Sequence, residues 1–154
     1  MEPTIIRSVE GYDWSEIVAA SRNEGHNMVS RMLADFKAGT NRFDLPSEVL
    51  LAHVRDGAVL AVCGLNREQE ITFGKGGRIR RLYVLPAHRG EGLARSLVEA
   101  IASFACHYHE VLTVNAGPSP AHAFYEHIGF EPVSHPSITH IKKLATSGRS
   151  GIVH

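Results

Sequence analysis

Apolar residues recur along this chain with two periods, and the order in which those periods alternate predicts the elements. Thr4 to Val9 reads as a short strand. Asp13 is placed to cap a helix in which Trp14, Ile17, Val18 and Ser21 share one face. After Gly25 a second helical pattern carries Met28, Val29, Met32, Leu33 and Phe36 at three- and four-residue spacing, and residues 39–41 end it. Residues 48–54 and 58–65 then read as two strands joined through Asp56-Gly57, a tight-hairpin signal. A polar, glycine-rich connection over residues 68–77 leads into a strand from Arg78 to Leu85. The next helix runs to about His107, with Leu93, Leu97, Ile101 and Ala105 as its stripe and Ala94, Val98 and Phe104 beside it.

A further strand is expected over residues 110–115. A short helix follows, opened by Ser119 and Pro120 and closed by Gly129, and a last strand covers residues 138–144. Hairpins that lead into a strand–helix–strand crossover predict a mixed sheet with helices packed on it. The strands near residues 78–85 and 110–115 should be parallel neighbours. No repeat or linker divides the chain, so residues 1–145 are expected to form one domain. The small, polar tail over 146–154 is expected to be loosely ordered.

The segment Arg89-Gly90-Glu91-Gly92-Leu93-Ala94, between the 78–85 strand and its helix, is the first place where chemistry shows. Two glycines let backbone approach an anion closely. The free amides of the first helical turn, at the positive end of the helix dipole, point towards that anion. Arg89 adds a charged donor. A Walker-type loop requires Lys-Ser or Lys-Thr after its second glycine, and neither this loop nor the 74–77 segment has one. A dinucleotide-binding loop wants a small residue where Arg95 stands and an acid ending the next strand, which ends in Asn115 instead.

The segment resembles the hallmark of the GNAT family of N-acetyltransferases, Arg/Gln-x-x-Gly-x-Gly/Ala, at Arg89, Gly92 and Ala94. Leu82-Tyr83-Val84-Leu85-Pro86 is similar to that family's fourth strand and proline turn. Asn115, then Ala123-Phe124-Tyr125-Glu126 and Gly129-Phe130, are similar to its fifth strand, fourth helix and following turn. The similarity spans about residues 48–144. It implies an α/β (α+β) fold: a mixed, mostly antiparallel sheet of six to seven strands, a central splayed parallel pair and about four helices.

The resemblance further implies an acyl-CoA-dependent transferase using acetyl-CoA as acyl donor, with no metal. Residues Arg89, Gly90, Glu91, Gly92, Leu93 and Ala94 would hold the pyrophosphate. Leu82, Tyr83 and Val84 would offer strand-edge backbone to the pantetheine arm, which Asn115 would also contact. Tyr125 occupies the position of the usual general acid. The acetyl group would pass to a primary amine of a small molecule or peptide by direct attack in a ternary complex. A catalytically lapsed acyl-CoA-binding sensor or partner module is the alternative, and a nucleotide-binding domain a third reading.

The general base is not legible. The fourth strand begins Arg78-Ile79-Arg80-Arg81, where some relatives carry a glutamate; water, His53 and Glu48 are the substitutes considered. Arg80 and Arg81, as strand neighbours, should point to opposite faces, so one of them could reach the cleft and attract an acidic substrate; the commoner reading of such charges is that they solvate an edge or pair with acids. Asn23, Glu24, His26 and Asn27 cluster at the break between the first two helices, where relatives bind the acceptor.

Composition narrows this picture little. Sixteen basic and sixteen acidic residues balance, so no global field favours nucleic acid or membrane. The chain carries 44% apolar and 21% charged residues and shows no signal peptide or spanning segment, so a cytoplasmic protein is expected. Two distant cysteines, Cys63 and Cys106, fit a reducing compartment. Ten histidines invite a metal, but His122 and His127 lie ~140° apart around a helix, so no metal is expected. Relatives are often dimers, and a homodimer is left open.

Overall fold

The computed structural model describes residues 2–69, 75–117 and 119–145. The expected tail over 146–154, and residues 70–74 of the expected polar connection, lie outside the described residues.

Seven strands form a single sheet in the order β1-β2-β3-β4-β5-β7-β6. In chain order the elements are β1 (Thr4–Ile5), α1 (Ser15–Asn23), α2 (Met28–Ala38), β2 (Val49–Arg55), β3 (Ala58–Arg67), β4 (Gly76–Val84), α3 (Leu93–Ala105), β5 (Val111–Val114), α4 (Ser119–His127), β6 (Glu131–Pro132) and β7 (His140–Lys143). All neighbours are antiparallel except β4 and β5, the parallel pair that the crossover through α3 requires.

Local chemistry explains most boundaries. Asp13 accepts hydrogen bonds from the Ser15 amide (2.9 Å) and hydroxyl (2.6 Å), so it caps α1 from one residue further out than expected. Gly39 ends α2 in the left-handed region (φ 80°). Asp56 and Gly57 both take positive φ, 53° and 81°, as a tight β2–β3 hairpin requires. The first strand is shorter than expected: pairing with β2 covers only Thr4 and Ile5. The two-residue β6, which ends in a proline, left no readable alternation in the sequence.

The α3 stripe Leu93, Leu97, Ile101 and Ala105 is buried as its spacing predicts, and α3 packs on β2, β3 and β4. On α1 and α2 the buried positions are Ile17, Ser21, Val29, Met32 and Phe36, and these helices pack against each other and against β3 and β4. Each fully buried Leu or Ile side chain stabilises the fold by roughly 1.5–3 kcal/mol. None of the described helices is long and apolar enough to cross a membrane.

Two irregularities in β4 matter for function. Pairing of β4 with β5 runs from Gly76↔Val111 to Ile79↔Val114 and then stops, although β4 continues to Val84. Because β5 ends at Val114, the β4 edge beyond Ile79 has no strand partner on this side, and the two stretches of chain part around a cleft. On the other side of β4 the register with β3 moves from Gly64↔Arg80 to Val62↔Tyr83, so Arg81 and Leu82 together oppose Cys63. This is a β-bulge, and Arg81 adopts a left-handed conformation (φ 63°) to make it.

Candidate active site

The divergence of β4 and β5 opens a cleft of about 690 Å³ whose walls come from five parts of the chain. One wall is β4 itself, from Arg78 to Val84. Opposite stand Val114, Asn115 and the start of α4, with Tyr125 two residues from its end. Glu24 and His26 of the α1–α2 junction, Arg89, and Ala94 of α3 complete it. The structure thus brings together Leu82, Tyr83, Val84, Arg89, Ala94, Asn115 and Tyr125, which lie up to 43 residues apart in sequence. Gly90, Glu91, Gly92 and Leu93 do not line the cleft. Leu93 is buried in the core, and Glu91 faces His88, with 3.2 Å between carboxylate and Nδ1.

The backbone around the cleft leaves some of its groups outside the strand and helix ladders. The amide of Leu85 donates to the Leu60 carbonyl of β3 at 2.9 Å. Strand alternation then turns the backbone groups of Leu82 and Val84 the other way, towards the gap. One of them is engaged: the Val84 carbonyl accepts from Arg89 Nε at 3.0 Å. At the start of α3, Gly90 and Gly92 take φ of 85° and 81°, and no side chain caps the helix. The first intrahelical bond is from the Ser96 amide to the Gly92 carbonyl, so the amides of residues 93–95 precede the ladder. An uncapped helix N-terminus with αL glycines before it suits an anion.

Charge is concentrated here. Arg78, Arg80, Arg81 and Arg89 line the cleft, against the single carboxylate of Glu24. Glu24 binds Arg89 through both oxygens, at 2.9 and 2.6 Å, and accepts a hydrogen bond from the Tyr83 hydroxyl. Arg89 first, and Tyr83 second, hold the Glu24 carboxyl down at about 2. Burial and the neighbouring Glu24 push the Tyr83 phenol up to about 12. The guanidinium of Arg89 also lies 5.3 Å from the centroid of the Tyr83 ring. The bulge makes this contact: it restores Tyr83 to the sheet face of Arg80, three residues away, where plain alternation would not.

Arg80 and Arg81 both line the cleft, where the sequence led us to expect one of them. Arg81 meets Asp35 of α2 at 3.6 Å. Arg78 is held by Glu68, a residue the sequence pattern did not single out. The Glu68 carboxylate is 1% exposed, accepts from Arg78 Nε at 2.8 Å, and also accepts from the Thr113 hydroxyl of β5. It ties β3, β4 and β5 together just below the point of divergence. Its only sequence signal was an acid at the end of an apolar strand.

Tyr125 is 4% exposed and packs edge-on against Phe124 and Phe130, with ring centroids 5.1 and 5.2 Å away. Its hydroxyl has no hydrogen-bond partner among the described residues, and burial pushes its pKa upward. Neither side chain considered as a base lies in this cleft. His53 is fully buried, with Nε2 3.1 Å from Ser96 Oγ and Nδ1 unpartnered, and burial lowers its pKa. Glu48 accepts from the Arg67 amide at 3.0 Å and borders a second cleft of about 860 Å³. The histidine arrangement also differs from the pair weighed in the sequence. His140 of β7, His122 and Glu126 bring donor atoms within 4.8 Å of one another, with His140 Nε2 2.8 Å from Glu126.

Residues 46–132 match the family model described as the acetyltransferase (GNAT) domain, which is more than half of the chain. This chain belongs to the GNAT family. Solved structures agree with the assignment. A candidate acetyltransferase from Exiguobacterium sp. 255-15 is 29% identical, with each chain fully covered and a TM-score of 0.81. A GNAT-family acetyltransferase from Staphylococcus aureus Mu50 shares the fold at 13% identity and a TM-score of 0.71, over 93% of this chain and 99% of its own. YncA, a candidate acetyltransferase from Salmonella typhimurium solved with its cofactor acetyl-CoA, shares it at 17% identity and a TM-score of 0.62, over 94% and 95%. No curated protein matches the sequence. The fold of this GNAT protein is the mixed, mostly antiparallel sheet of seven strands, with one parallel pair and four α-helices, that the resemblance implied.

Proposed function

We propose that this protein is an N-acetyltransferase that moves the acetyl group of acetyl-CoA to a primary amine of a small molecule or peptide, by direct attack in a ternary complex. The observation that carries the reading is the convergence, in one cleft, of a parted strand edge, Arg89 beside the uncapped start of α3, and an unpartnered phenol. Acetyl-CoA, when bound, supplies an activated thioester. The start of α3 and Arg89 fit its diphosphate, and the edge groups of Leu82 and Val84 fit its pantetheine amides as an added strand.

The protein's own groups then have defined tasks. A free amide on the β4 edge polarises the thioester carbonyl. The amine nitrogen bonds to the carbonyl carbon as the C–S bond breaks, and the surplus amine proton passes to water. Tyr125 donates its proton to the departing sulfur. The raised pKa keeps this phenol protonated through neutral pH, as an acid must be. With no acid on β4 and His53 in the core, proton removal falls to water. The arginines assist, because nearby positive charge favours the neutral amine over its ammonium.

Two measurements on the full chain test the reading: a thermal shift with acetyl-CoA, set against NAD and ATP, and thiol release over a panel of amines. Stabilisation by acetyl-CoA alone, with thiol release that depends on an amine, is expected. Binding without release would leave a non-catalytic acyl-CoA module. Stabilisation by NAD or ATP instead would overturn the cofactor assignment.

A further inference from the structure

We infer that the amine this site acetylates also carries a carboxylate, as a small free amino acid does, and that Arg80 is the residue that holds it. The inference rests on the acetyl-transfer reading above. It begins with the partners of the cleft's four arginines. Arg78 is bound by Glu68, Arg81 faces Asp35 and Arg89 is bound by Glu24. Arg80 is exposed and makes no ion pair or hydrogen bond among the described residues. It also borders both the cleft at the strand divergence and the larger second cleft. Arg42 and Arg67 line the second cleft but not the first.

Its position in the register is as informative as its charge. Ile79↔Val114 is the last β4–β5 pair, so Arg80 is the first residue past the point where the strands part. Its β3 partner is Gly64, and that face of the pair is narrow: a Cβ on Gly64 would stand 2.4 Å from the Phe43 ring. Whatever Arg80 grips therefore sits at the mouth of the gap where the thioester would emerge. An amine only a few bonds from that anion is within reach of the acyl carbon.

Electrostatics supplies the reason an anion is needed. A simple primary amine reaches the protein as an ammonium ion, and the unpaired guanidinium of Arg80 at the mouth of the gap repels it. A carboxylate beside the amine removes that repulsion and gives Arg80 a two-pronged partner.

The test pairs L-amino acids and β-alanine with their carboxamides, using the full-length protein and saturating acetyl-CoA. Acids should show a KM about tenfold or more below that of the matched amides. Arg80→Ala should raise KM for the acids by about the same factor, while Arg80→Lys retains part of the preference. Neither variant should move KM for acetyl-CoA, which a structural role for Arg80 would. A second arm needs no turnover: in the presence of CoA, N-acetylamino acids should stabilise the wild type more than their amides do, and Arg80→Ala should erase the difference. Equal use of acids and amides, or acetylation of amines lacking an acid only, overturns the inference and leaves acetyl transfer standing. Failure of acetyl-CoA to bind removes both.

Discussion

At the scale of single residues, environment decides what each titratable group does here. Tyr125 and His53 are both buried, yet only one faces the cleft. Tyr125 presents an unpartnered hydroxyl there, so Tyr125→Phe removes one oxygen and no hydrogen bond made within the described structure. Turnover should fall about 100-fold with acetyl-CoA affinity unchanged, as steady-state kinetics and calorimetry would show. Loss of affinity would make Tyr125 a packing residue. His53 illustrates the opposite outcome: a histidine weighed as a base lies in the core against Ser96. Burial holds its folded pKa below the unfolded value, so the unfolded chain binds the proton more readily. Its contribution is thus fully present above about pH 6.5 and is lost as pH falls from there. Thermal melts from pH 7.5 to 5 should show falling stability, and His53→Gln should flatten that slope.

At the scale of elements, distant parts of the chain converge on Arg89. The end of α1 carries Glu24 onto Arg89, while β4 carries Tyr83 onto the same carboxylate. A diphosphate that uses Arg89 must compete with Glu24, so Glu24→Gln should tighten acetyl-CoA binding, by roughly three- to tenfold in titration calorimetry, the scale of a partly exposed ion pair. Weaker binding would show that Glu24 orients Arg89 for the cofactor. The two glycines before α3 were legible as a loop because their spacing alone encodes the turn. The Glu24 contact was not, because it joins residues 65 apart on separate elements. The bulge at Arg81 was hidden for a related reason. Arginine has no sequence preference for positive φ, and only pairing with β3 imposes it.

Across the whole molecule, one buried carboxylate links the sheet to the cleft. Glu68 joins the end of β3 to Arg78 of β4 and Thr113 of β5, just before those strands separate. Glu68→Ala leaves a largely buried guanidinium without its partner, which should cost about 3 kcal/mol in chemical denaturation. Glu68→Gln, which keeps the shape and some hydrogen bonds, should cost less. If the alanine variant is as stable as the wild type, the divergence is fixed by main-chain pairing alone. The same network explains why a fourth strand without an acid still has a carboxylate beside it: the third strand delivers one.

The chain by itself determined its element order apart from β6, together with the parallel pair, the glycine turn and the α3 core stripe. Those features are written in local spacing, and a period of 3.6 or two needs no knowledge of distant residues. Tertiary structure decided which charges are spent and which are free. Four arginines in the cleft are alike in sequence, and only long-range packing assigns Glu68, Asp35 and Glu24 to three of them. It also moved His53 from the site to the core. Pairing across tens of residues depends on the register of strands and the docking of helices, which no local pattern records.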